Sequence, residues 1–396
     1  MKQLIILIVL FSFATMANAQ TIPKSIDRPV KTDVIKPVKR VKMPEVDEID
    51  KTIGFATSFD NGLARVYSDF KYSIIDKTGK TVINVKFDDV SNFSEGLAAV
   101  ELNSRYGFID KTGKIVIAIK YVDAYNFSEG LAEVKLNGKF GFIDKEGNVV
   151  VNAKYEDAHR FSEGLAGVQI KGKWGFIDKT GKIVIAPTYE YVEEFKDGLA
   201  IINGNQFIDK TGKLIIDSKY DKVYDFFEGL AAVTLNDKYG FIDKSGKEVI
   251  ALKYEYARPF SDDKLAQVKL NGKEAIIDKR GKVVIGTKYD DMLSPINGRI
   301  FSEGLVAVKL KNKWGFIDKD ENVVVEIKYD YVYFFFEGLA RVNMNGKYGF
   351  IDHTGKVVIE MKYDDVTNFS EGLAAVKEND KWMFIDKEGN VVINLK

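Results

Sequence analysis

Hydrophobic and polar residues alternate along most of this chain with the period of two that marks a strand buried on one face. In one stretch Ala132, Val134 and Leu136 alternate with Glu133 and Lys135. Asn137-Gly138-Lys139 then turns the chain into Phe140-Gly141-Phe142-Ile143-Asp144. There the large aromatics share a face, and Gly141 admits the close approach of a neighbouring backbone or ring. Lys145-Glu146-Gly147-Asn148 predicts a second hairpin loop with its glycine in the left-handed region. Val149-Val150-Val151 is a continuous β-branched run, suited to a strand covered on both sides. Tyr155-Glu156-Asp157 leads through a short fourth strand to Phe161 and a Ser-Glu-Gly turn. Helical spacing with caps is missing throughout, so the predicted class is all-β.

This pattern recurs. The Leu of a Gly-Leu-Ala core stands at 63, 97, 131, 165, 199, 230, 265, 305, 339 and 373, mostly 34 residues apart. The Asp of an Ile-Asp pair recurs in phase at 76, 110, 144, 178, 209, 243, 278, 318, 352 and 386. The departures fall in loops, where a stacked array tolerates them. Repeat five shortens its first hairpin to Ile202-Asn203-Gly204-Asn205. Repeat seven carries Ser261-Asp262-Asp263-Lys264 in place of Ser-Glu-Gly, and repeat eight inserts Ser294–Arg299. A unit of three or four short strands cannot bury both its faces, so neighbours must stack. The expected architecture over residues 45–396 is an array of ten antiparallel β repeats, an open, curved, solenoid-like stack. The alternative is a closed propeller-like ring. Thr52–Phe59 resembles a fourth strand and the chain ends after a third, so pairing of the two ends could complete a split unit. Propellers of four to eight larger blades speak against the ring.

The N-terminal segment is patterned differently. Lys2 precedes an apolar run from Leu4 to Phe13, and Ala17-Asn18-Ala19 has the small-x-small form of a signal peptidase site. The run is too short to span a bilayer. Residues 1–19 therefore read as a cleavable signal and the protein as exported, with no integral membrane segment after cleavage. Pro23, Pro29, Pro37 and Pro44, among Lys, Arg, Thr and Val, make residues 20–44 an extended flexible linker.

Composition removes several kinds of chemistry. The 58 basic and 58 acidic residues balance, which gives no electrostatic footprint for nucleic acid. Cysteine is absent and histidine occurs twice, leaving no expected metal site, cofactor or catalytic residue. The ten Ile-Asp aspartates are flanked by lysines and lack the clustered oxygen ligands of a calcium loop. They read as residues closing turns onto backbone N–H groups. The Glu of Ser-Glu-Gly-Leu (Glu95, Glu129, Glu163, Glu303, Glu371) reads as another turn residue. His159 and His353 read as surface or edge residues, and the once-per-repeat aromatics as core rather than a sugar-stacking ladder. One row of positions varies from unit to unit. Opposite the constant apolar face of the first strand after the turn stand Glu101, Glu133, Lys135, Gln169, Lys269, Lys309, Arg341 and Asn343. Such variety suggests a solvent-exposed strip available to a protein, peptide or glycan.

Lys173-Trp174-Gly175-Phe176-Ile177-Asp178 and Lys313-Trp314-Gly315-Phe316-Ile317-Asp318 resemble the signature of the WG-repeat (KWG-repeat) family. Tyr106-Gly107, Phe140-Gly141, Tyr239-Gly240 and Tyr348-Gly349 stand at the same place, Trp382 precedes Met383, and repeat seven has Glu274-Ala275. With the Gly-Leu-Ala core and the Asp-Lys-x-Gly-Lys turn, the resemblance spans residues 53–396. It implies a bacterial all-β repeat protein, commonly exported, with a binding or scaffolding role and no catalytic residues to carry over. The expected function is non-enzymatic binding, with a structural or assembly component of the cell envelope as the alternative and a hydrolase least favoured.

Overall fold

A computed structural model describes residues 53–395, apart from residue 69 and residues 295–297. The expected signal at 1–19 and linker at 20–44 lie outside the described residues. Among the described residues no helix is long and apolar enough to cross a membrane.

Ten small antiparallel sheets follow one another along the chain, eight of four strands and two of three. We number these blades 1 to 10 in chain order. Blade 3 shows the pattern, with strands Asp123–Ala124, Ala132–Leu136, Lys139–Ile143 and Val149–Tyr155. In blades 4 and 5 the first strand shrinks to single bridges, Ala158 to Val168 and Val192 to Ile202. Second and third strands pair without interruption: Glu133 faces Phe142, Val134 faces Gly141, and Lys135 faces Phe140. The fourth strand bulges where it passes the glycine, between the Phe140–Tyr155 and Phe142–Val151 pairs. A Cβ on Gly141 would lie 2.5 Å from the Val151 carbonyl oxygen, a contact that no L side chain makes. In this blade the glycine after the aromatic is therefore required by the neighbouring backbone. The repeated aspartates close turns as expected: each of the ten accepts the N–H groups two and four residues on, as Asp76 does from Thr78 and Lys80.

Successive blades are joined by a recurring set of contacts, seen at the junction of blades 3 and 4. Phe142 packs against Phe161 with ring centroids 4.8 Å apart. The Ser128 hydroxyl donates to the Phe161 carbonyl at 2.8 Å. Glu129 accepts the Gly164 N–H at 3.0 Å and pairs with Lys179 at 3.1 Å. The Glu of Ser-Glu-Gly-Leu is thus more than a turn residue, because it staples its blade to the next.

The same set recurs between blade 10 and blade 1. Phe384 meets Phe59 at 4.8 Å, Ser370 donates to the Phe59 carbonyl at 2.7 Å, and Glu371 accepts the Gly62 N–H at 3.0 Å and pairs with Lys77 at 2.8 Å. Ala56, Phe59, Ala64, Val66 and Ile75 share one buried cluster with Leu373, Trp382, Phe384 and Ile393. The ten sheets therefore form a closed ring, a ten-bladed β-propeller. The ring, the alternative in the sequence reading, replaces the open stack, because the last blade offers the first the same surface that every blade offers its successor. Closure does not use strand exchange between the ends. Ile53–Ala56 pairs within blade 1 and Val391–Asn394 within blade 10.

Candidate functional site

Closing the ring sandwiches every blade between two others, so both faces of the second strand meet protein. That geometry corrects the expected exposure of the variable strip. Glu133 is buried, and Glu101, Lys135, Gln169, Lys269, Lys309, Arg341 and Asn343 are half-buried. The physical reason is their register. Glu101, Lys135, Gln169, Lys269, Lys309 and Asn343 stand directly opposite the residue before the strand glycine (Ala275 in blade 7), namely Tyr106, Phe140, Trp174, Glu274, Trp314 and Tyr348. Lys135 and Lys309 lie along that neighbour and keep their polar ends at the edge, as amphipathic side chains do. Lys135 Nζ lies 4.7 Å from the centre of the Phe140 ring and Lys309 Nζ 5.8 Å from that of Trp314. Glu101 accepts from the Tyr106 hydroxyl at 2.9 Å. The tryptophans are core, as expected: Trp174, Trp314 and Trp382 are all buried.

Two residues earlier in each second strand lies a second variable row, which includes Arg65, Ala99, Glu133, Gly167, Gln267 and Arg341. These side chains point at the next blade. Arg65 Nη1 donates to the Val90 carbonyl at 2.6 Å, Arg341 Nη1 to that of Val366, and Gln267 Nε2 to that of Met292 at 3.2 Å. Arg341 also lies over the Tyr333 ring, 3.3 Å from its centre, and burial holds its guanidinium below the usual arginine range. Arg341 is therefore a packing residue and no free contact. Arg341→Glu is expected to lower stability by about 1.5–3 kcal/mol in urea denaturation. Lys135→Glu, on the half-exposed row, should stay within about 0.5 kcal/mol.

Glu133 occupies the same row. Its Oε2 has no partner, and burial, then Asp157 and Glu194, pushes its carboxyl up to about 8. Neither histidine is a free surface group. His159 is half-buried and packs at a tilt against Trp174, ring centroids 4.4 Å apart, and burial holds it below the usual histidine range. His353 stacks on Phe335 at 4.4 Å and binds Glu303 at 2.8 Å, taking the lysine's place in the inter-blade staple.

One junction leaves this row open. Between blades 2 and 3 a cleft of about 180 Å3 is lined by Asp89, Ser91, Ala99, Glu101 and Tyr106 from blade 2 and by residues 124–126 of blade 3. Burial and the Glu101 hydrogen bond push the Tyr106 phenol up to about 12. Of this lining the sequence reading counted Glu101 among the candidate binding residues and Tyr106 among the aromatics of the repeat signature, without bringing the two to a cleft. The missed signal is the conjunction of Ala99 with Ser91, two small residues opposite one another. A larger cleft, about 550 Å3, lies where the departures of repeats seven and eight meet, with Asp262, Asp263, Arg299 and Lys319 among its walls. There Asp263 accepts the N–H groups of Ile300 and Phe301, both at 3.2 Å, and so holds the inserted loop.

A closed β-propeller of short repeats with clefts between its blades defines a ring-shaped repeat protein. The sequence matches the WG containing repeat nine times, over residues 72–106, 106–140, 140–174, 174–205, 207–239, 239–273, 276–314, 314–348 and 348–382. The chain belongs to the WG-repeat family. No curated protein matches the sequence. Among solved structures it is similar to a eukaryotic initiation factor, at 12% identity over 74% of this chain and 94% of that one, with a TM-score of 0.48. It is also similar to the dihydro-heme d1 dehydrogenase NirN, at 13% identity over 78% and 74% with a TM-score of 0.38. A third is PorZ, a surface component of the type-IX secretion system of Porphyromonas gingivalis, at 11% identity over 87% and 52% with a TM-score of 0.29. Likeness at these scores carries no argument about function.

Proposed function

We propose that this protein is an exported, non-catalytic binding module whose ring presents the half-buried polar row of its second strands, and the clefts beside it, to a protein, peptide or glycan. One observation carries this reading. The acids repeated in phase are engaged in structure: the ten turn aspartates hold backbone N–H groups, and the Ser-Glu-Gly-Leu glutamates hold the next blade. What varies from blade to blade is the half-buried row and the clefts beside it, where selection between partners can act without disturbing the fold. Export rests on the signal pattern of residues 1–19.

The purified full chain, screened against peptide and glycan arrays and against envelope extracts, is expected to show saturable binding. Lys135→Glu or Glu101→Gln should weaken that binding while Tm stays unchanged. A reproducible hydrolytic activity would replace the reading with an enzyme. A partner indifferent to both substitutions would move the binding surface elsewhere on the ring.

A further inference from the structure

The ring supplies its own template for what the cleft between blades 2 and 3 takes. At three other junctions a side chain from the second strand reaches a backbone carbonyl of the next blade: Arg65 reaches Val90, Gln267 reaches Met292, and Arg341 reaches Val366. The three acceptors share one register position, since Val90 stands opposite Val100, Met292 opposite Val308 and Val366 opposite Val376. In blade 3 that position belongs to Ala124, opposite Val134, and Ala124 lines the cleft. The residue that would reach it from blade 2 is Ala99, which has no group to send.

Three other junctions with a small residue in this row fill the place differently. Over Gly167 lies His159, whose Nδ1 would be 3.2 Å from an added Cβ. Beside Ala232 the Tyr224 and Tyr239 hydroxyls meet at 3.3 Å, and beside Ala375 Trp382 Nε1 donates to the Gly54 carbonyl at 3.1 Å. Blade 2 opposes Ala99 with Ser91, and the space stays open at about 180 Å3. That is the size of one large side chain and well below the roughly 300–1,000 Å3 of a site for a drug-sized molecule. Asp89 and Glu101 place two carboxylates on its wall, and among the described residues no lysine or arginine lines it.

The geometry points to a binding site for the guanidinium of an arginine side chain, supplied by a peptide partner in the way that blades 1 and 9 supply their own. This deepens the binding role proposed above and rests on it. A guanidinium is planar and carries five N–H donors, so it can meet the Ala124 carbonyl and the Glu101 carboxylate together. An ammonium group has the charge without that fork.

The probe is acetyl-Gly-Arg-Gly-amide, titrated into the full chain by NMR beside the same peptide with lysine or with citrulline, the neutral isostere. The arginine peptide is expected to bind about tenfold more tightly than the citrulline peptide, a difference that one charge-assisted contact supplies. Ala99→Arg should fill the cleft from within and abolish binding without lowering Tm. Glu101→Gln should weaken binding about tenfold, and it decides the matter if Ala99→Arg fails to fold. Equal affinity for citrulline and arginine, or binding undiminished in both variants, overturns the inference. If a partner found for the ring binds Ala99→Arg as well as the native chain, the arginine site falls and the general binding role stands. If the arginine peptide binds as described and no larger partner is found, the site stands and the wider role is what fails.

Discussion

Phe59→Ala is expected to destabilise the protein by about 3–5 kcal/mol, as much as Phe161→Ala in the middle of the chain. Each ring is fully buried against the phenylalanine of the preceding blade, Phe384 for Phe59 and Phe142 for Phe161. In sequence Phe59 lies at the start of the array and Phe384 near its end, so only a closed ring gives Phe59 a partner. A double-mutant cycle on Phe59 and Phe384 should return a coupling of about 0.5–1.5 kcal/mol, the usual worth of an aromatic pair beyond its buried area. Urea denaturation followed by near-ultraviolet circular dichroism measures both quantities. Zero coupling, with Phe59→Ala nearly neutral, would mean that the ends are apart in solution.

Glu133→Gln is expected to flatten part of the pH dependence of stability. The native carboxyl is raised to about 8 from its ordinary 4.5, so between those limits the folded protein holds a proton that the unfolded chain releases. Stability from this group is therefore fully present below about pH 4.5, falls by roughly 1.4 kcal/mol per pH unit, and is lost above about pH 8. Burial is the main cause, and the charges of Asp157, Glu194 and Asp123 add to it while Arg160 opposes them. Glutamine keeps the shape without the titration. The two proteins should match near pH 5, and the variant should be the more stable by several kcal/mol at pH 8.5. Taking the difference between them cancels the other groups that titrate in this range, including Glu274, which burial also raises, and His159, which burial lowers. Parallel curves across pH 5–8.5 would show that Glu133 is ionised in the native ring.

The repeats, their strands and their turns were legible because each rests on local physics. A period of two marks the second strand, and the Asp-Lys-x-Gly-Lys aspartate bonds N–H groups only two and four residues away. Gly141 shows its need for close approach by the bulky residues around it. Closure was not legible, because open and closed stacks of one unit differ only by a small rotation at each junction, which no single residue pattern encodes. The variable strip was misread for a related reason. Polar alternation signals solvent when a sheet has one free face, but here Lys135 is covered by an aromatic ring and Arg341 by a carbonyl and a tyrosine. The partner of each stapling glutamate was hidden by distance, as with Glu95 and Lys145. The signal was present as a fixed spacing: an acid and a lysine 50 residues apart recur in phase, as do Glu129 and Lys179.

Because five of the blades present a serine and a glutamate to a phenylalanine and to a lysine or histidine of the following blade, the junction is head-to-tail and never self-complementary. Contacts of that kind between separate subunits generate either a ring or an endless filament, according to whether the rotation closes. This protein carries out the same assembly within one polypeptide, so it behaves as a cyclic decamer whose subunits are covalently linked. A relative with one repeat fewer would have to redistribute the missing angle as a few degrees at every junction. Blade number in such chains is therefore a collective property of many weakly differing interfaces, and duplication or loss of a single unit can change it without redesign of any one of them.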